Sequence, residues 1–76
     1  MSDTPIVVDA RGHRCPTPTL RLRRALEQAP PGATVRLLAD DPLAGIDVPH
    51  FTLQIGAQLL EIADEDAAFS FLVRKS

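Results

Sequence analysis

The residues best suited to chemistry stand together near the start of the chain. Cys15 is the single cysteine, inside the run Asp9-Ala10-Arg11-Gly12-His13-Arg14-Cys15-Pro16-Thr17-Pro18. The thiolate, not the thiol, is the nucleophile, and nearby positive charge or a helix N-terminus favours it. Every charged residue between Ala10 and Leu26 is basic: Arg11, Arg14, Arg21, Arg23 and Arg24. Pro16 and Pro18 restrict the backbone, so the thiol is held on a stiff turn. A nucleophilic cysteine in such a place can attack a sulfane sulfur or a disulfide. It then carries the product as a persulfide or mixed disulfide. The plainer reading is a small apolar cysteine packed at a helix start. A packed cysteine has no use for the surrounding arginines and prolines, which favours the reactive reading.

The rest of the composition limits what such a thiol can be part of. The chain has 76 residues, which predicts one domain over residues 1–76. A chain of this size buries only ~60% of its unfolded surface. There is no room for a separate substrate or cofactor domain, so a partner must supply the rest of any active site. The hydrophobic fraction of 45% and charged fraction of 24% fit a globular domain. The net charge of -2, with no Trp or Tyr and 3 Phe, argues against direct nucleic-acid binding. One cysteine cannot form an intramolecular disulfide, and there is no Cys-x-x-Cys pair for zinc. A metal site from His13, Cys15 and His50 would need tertiary convergence and a fourth ligand, so no metal and no cofactor are expected. The opening apolar run is too short for a signal core or a membrane span. The expectation is a reducing cytoplasm and no membrane association.

The elements that position the motif follow from its punctuation. Ile6-Val7-Val8 reads as a strand ending near Asp9-Ala10. Arg11 to Arg14 is a loop turning at Gly12. Thr17 as N-cap and Pro18 as first helical residue start a helix that runs to about Ala29. Leu22, Ala25, Leu26 and Ala29 form its apolar stripe. Pro30-Pro31-Gly32 stops it. Thr34 to Ala39 is a second strand, broken by Asp40-Asp41-Pro42. A second helix is expected over Ile46 to Ile55, with an irregular first turn at Pro49 and Gly56 as C-cap. Leu59 to Ile62 is a third strand, Asp64-Glu65-Asp66 a polar turn, and Phe69, Phe71 and Val73 mark one face of a fourth strand. The order β-α-β-α-β-β predicts an α/β fold, with a parallel crossover, a C-terminal hairpin and both helices on one face of a four-stranded mixed sheet.

The run from Asp9 to Pro18 resembles the D-x-x-G-x-x-C-P-x-P signature of the TusA/SirA-like sulfur-carrier family. Ala39-Asp40-Asp41-Pro42 resembles that family's acidic-proline turn, and Asp47-Val48-Pro49 and Leu72-Val73-Arg74-Lys75 also match. The resemblance covers nearly the whole chain. It implies an α+β two-layer sandwich, with Cys15 accepting sulfur as a persulfide. Asp9, Gly12, Arg14, Pro16 and Pro18 are then the motif and support residues. It also implies two partners: a sulfur donor, such as a cysteine desulfurase or rhodanese-like protein, and an acceptor. Family acceptors act in tRNA thiolation, molybdenum-cofactor steps and sulfur oxidation. This chain has Thr17 where the tRNA-thiolation branch carries Glu. It has Ile46 where that branch tends to carry a basic residue, and His13 where an apolar residue is usual. These differences bear on the acceptor and leave the thiol chemistry intact.

Other residues carry weaker signals. His13 is near enough in sequence to tune Cys15, although a solvated loop histidine accounts for it. Leu20 lies off the core stripe, and with Arg21 and Arg24 it could meet a partner; ordinary solubility is the competing account. Asp40 and Asp41 read as turn chemistry before Pro42 rather than as an acid–base pair. Asp9 is expected to brace the Gly12 turn or an arginine. The rival functional class is a non-enzymatic regulatory or interaction module, in which Cys15 senses redox state or is merely structural.

Overall fold

The β-branched run after Pro5 and the alternating run from Thr34 both form strands, and they pair. The computed structural model describes residues 5–14, 17–65 and 68–75. Its elements are β1 (Ile6–Asp9), α1 (Thr17–Gln28), β2 (Thr34–Ala39), α2 (Ala44–Ile55), β3 (Gln58–Glu65) and β4 (Ala68–Arg74). The sheet order is β1-β2-β4-β3. β1 runs parallel to β2, while β4 is antiparallel to both β2 and β3. This is the expected mixed sheet.

Register explains the core. Val8 pairs with Leu37, Leu37 with Phe71, and Phe71 with Ile62. Ile6, Val35, Val73 and Leu59 make the neighbouring row. Directly paired residues share a face, so both rows point to one side of the sheet. Leu22 and Leu26 of α1 and Ala44 and Val48 of α2 join Val35, Leu37, Phe71 and Val73 in a single buried cluster. Both helices therefore lie on that side. The other side carries Arg36, which donates to the Ser70 hydroxyl and stands 3.9 Å from Glu61. On α2, Ile55 is exposed while Thr52 is buried with Val48. The Thr52 hydroxyl is satisfied by donating to the Pro49 carbonyl at 2.8 Å.

The starts of α1 and α2 and the end of β3 differ from expectation. α1 starts at Thr17 itself, one residue early, and its N–H donates to the Arg14 carbonyl at 2.9 Å. α2 starts at Ala44 rather than Ile46. The Asp41 carboxylate accepts the Leu43 N–H at 2.9 Å, organising the turn that leads into it. Pro49 consequently sits inside α2, where it removes one backbone bond, and not in its first turn. β3 extends through Asp64 and Glu65, which the sequence suggested as a turn. Asp64 pairs with Phe69 and Glu65 with Ala68, so the ladder with β4 carries the polar residues along an edge strand. Asp66, the last residue of that expected turn, lies outside the described residues. Gly56 does cap α2, at φ 74.

Lys75 has an internal task. Lys75 Nζ donates to the Ala29 carbonyl at 2.7 Å, just past the end of α1. A cation there satisfies an orphan carbonyl and opposes the negative end of the helix dipole. Lys75→Met should therefore destabilise the domain by about 1–2 kcal/mol, read as a lower urea midpoint with an unchanged slope.

Candidate functional site

The loop between β1 and α1 is organised residue by residue. Ala10, at its start, is fully buried and its N–H donates to the Leu38 carbonyl at 2.8 Å. The Arg11 N–H donates to Asp9 Oδ1 at 3.1 Å. The Gly12 N–H donates to both carboxylate oxygens of Asp40, at 2.9 and 3.0 Å. The His13 N–H donates to the Ala10 carbonyl at 3.2 Å. Gly12 adopts φ 85, a left-handed conformation that a side chain at this position would strain. Nothing lies within 4 Å of a Cβ built there, so the demand is on the backbone and not on space.

Cys15 and Pro16 lie outside the described residues. Their neighbours on both sides are fixed: Arg14 and Thr17 are joined by the bond already given, and α1 begins at once. Pro18, in its first turn, is among the fully buried side chains. The first turn of α1 carries no acidic residue. Its positive N-terminal end is therefore not offset from within the turn.

The arginines divide their work. Arg11 makes a bidentate pair with Asp9, Nε to Oδ1 and Nη2 to Oδ2, each at 2.9 Å. The expected extra charge of Arg11 beside the thiol is thus largely matched by Asp9. This is the arginine brace anticipated for Asp9. Arg21 Nη1 donates to the Asp9 carbonyl at 2.9 Å, tying α1 to the end of β1. Arg24 is exposed and lines a groove between α1 and β1 with Ile6, Val8 and Gln28. Arg14 and His13 are exposed on the loop. Arg14 lines a recess shared with Gly12, Asp40, Asp41, Pro42 and Leu43.

The Arg11 pairing holds the Asp9 carboxyl down to about 2, first through the side-chain hydrogen bond and then through the backbone N–H. A depressed carboxylate adds stability above its unfolded pKa and loses it as pH falls through the folded value. The window here runs from about 3.8 down to about 2. Because the pair is exposed, the effect on stability is small and the titration itself is the better measurement. The Asp9 carboxyl carbon should titrate near 2 by NMR, and Arg11→Ala should return it towards its ordinary value.

Asp40, expected as turn chemistry, instead reaches across to Gly12 with its side chain. Asp41 makes the turn. Leu20, in the first turn of α1, is 55% exposed, and Leu43 at the recess is 54% exposed. Leu43 and the neighbouring Ile46, 69% exposed, are apolar surface near the loop that sequence periodicity did not single out.

Known proteins share this fold and much of this sequence. The family described as Sulfurtransferase TusA matches residues 6–75. The sulfur carrier protein TusA of Allochromatium vinosum is 36% identical over 76 residues, covering 100% of both chains. The solved structure of a SirA-like protein from Desulfitobacterium hafniense superposes with a TM-score of 0.81 at 27% identity, covering 91% of this chain and 95% of that one. A match running from the first strand through Lys75, on the same fold, means that the chain belongs to the TusA family of sulfurtransferases.

Proposed function

We propose that this protein is a sulfur carrier that accepts sulfur as a persulfide on Cys15 and relays it to a partner enzyme. The reading is carried by one observation: the family match spans the loop in which Cys15 stands between a braced strand end and a helix N-terminus. Asp9, Gly12, Arg14, Pro16 and Pro18 are its support residues. The helix N–H groups and Arg14 favour an anion on Cys15, whether thiolate or persulfide.

The chemistry balances without a cofactor. The Cys15 thiolate attacks the outer sulfur of a donor persulfide. A new sulfur–sulfur bond forms on Cys15 as the donor's bond breaks, and the donor cysteine leaves as a thiolate. The sulfane sulfur keeps its oxidation state, so no outside oxidant or reductant is needed. Transfer to the acceptor repeats the step with the roles exchanged. The donor is a protein of the cysteine desulfurase or rhodanese-like kind. Leu20 and Leu43 give both partners an apolar surface beside the loop, and Arg24 adds charge on the α1 flank. Among the described residues, no helix is long and apolar enough to cross a membrane. A reducing cytoplasm is the compartment in which a lone carrier thiol stays available.

The test is a relay of labelled sulfur. A cysteine desulfurase supplied with 35S-cysteine should label the purified chain, and the label should leave when a second thiol protein is added. A chain that stays unlabelled when folded and reduced defeats the proposal.

A further inference from the structure

Asp40 places both carboxylate oxygens on one backbone N–H, that of Gly12, at 2.9 and 3.0 Å. The residues are 28 apart in sequence, so the bond fastens the loop after β1 to the end of β2. Gly12 is exposed, and water could satisfy its N–H. A charged acceptor from another element is therefore not required for solvation. Asp40 lines the same recess as Arg14, the residue next to Cys15.

A carboxylate from another element that holds a loop N–H with both oxygens restrains that loop. Gly12 is where the chain turns, at φ 85, and three residues later it reaches Cys15. On the other side of Arg11, Arg21 holds the Asp9 carbonyl at 2.9 Å. The two bonds fix the chain on either side of the turn, from α1 and from β2. We propose that Asp40 is a positioning residue for sulfur transfer: by holding Gly12 it restrains the loop from Arg11 to Arg14 that leads to Cys15 in sequence. This inference rests on the carrier reading and adds a residue to it. Two sulfurs must approach in line within van der Waals range, and small misplacements cost rate rather than binding.

The test uses the full chain with a persulfide-loaded cysteine desulfurase as donor, over a range of donor concentrations. Asp40→Ala should lower the saturating transfer rate by about tenfold or more, while the half-saturating donor concentration stays within about twofold. Asp40→Asn keeps an oxygen that accepts the Gly12 N–H without the charge, and should recover to within about threefold of wild type. Asp40→Ser, too short to reach, should repeat the alanine result. Equal rates for Asp40→Ala and wild type would overturn the proposal. So would an Asn variant as slow as the Ala variant, or a loss expressed in half-saturation, because either would make Asp40 a charge that recognises the donor. Unfolding of both the Ala and Ser variants would make it structural and would likewise overturn it. A wild type that accepts no sulfur is a separate failure, that of the carrier reading itself.

Discussion

Cys15→Ser should accept no sulfur, a loss of at least about a thousandfold, while unfolding at the same urea concentration as wild type. A hydroxyl at ordinary pH is not ionised and cannot form a stable sulfur–sulfur linkage, so no residual route exists on this chain. The chain has a single cysteine, and no second thiol can substitute for it. The two results must be taken together. A structural cysteine would show the reverse, with lost stability and partner function intact. A redox sensor would lose its oxidant response, and its wild type would pass no sulfur to an acceptor. Stopped transfer with unchanged stability separates the carrier from both.

The second large effect concerns the core. Phe71 is 0% exposed at the centre of the sheet, paired with Leu37 on β2 and Ile62 on β3. Its ring stacks on Phe69 with centroids 5.7 Å apart. Phe71→Ala removes that contact and leaves a cavity under both helices, at a cost of about 3–5 kcal/mol. Small domains have roughly 5–15 kcal/mol in all, and a thin core has few neighbours able to close the gap. The variant should be largely unfolded in dilute urea. Phe71→Leu, which refills most of the volume, should keep more than half of the stability. A urea midpoint for Phe71→Ala close to wild type would contradict the single-cluster core.

Much of this was legible in the chain. Punctuation placed α1 and β2, because Pro18, Pro30, Pro31 and Gly32 act locally through backbone angles and missing donors. The apolar face of Phe69, Phe71 and Val73 was likewise visible in its alternation. The errors fall where a strand partner or a polar side chain, rather than a hydrophobic period, sets the boundary. β3 outlasts its apolar residues because β4 pairs with Asp64 and Glu65, and that pairing is invisible until the hairpin closes. α2 starts early because a side chain, Asp41, rather than a hydrophobic period, organises its entry.

The site divides in the same way. The motif named the loop and its cysteine, and Asp9 holding an arginine followed from adjacency. Arg21 and Asp40 act through backbone groups twelve and twenty-eight positions away, as donor to the Asp9 carbonyl and acceptor from Gly12. No periodicity encodes such bonds. In sequence Arg21 reads as a candidate partner contact or plain surface charge, and Asp40 as a turn residue. Their effect is to convert a glycine turn into a fixed mount, which a carrier needs more than it needs a pocket.

The central claim is that one sulfur atom resides on Cys15 between donor and acceptor. Intact-mass spectrometry of the reduced protein, after incubation with a cysteine desulfurase and cysteine, tests it most directly. The account predicts a gain of one sulfur atom per chain, mapped to the peptide containing Cys15 and removed by dithiothreitol. A folded, reduced protein that gains no sulfur would contradict it.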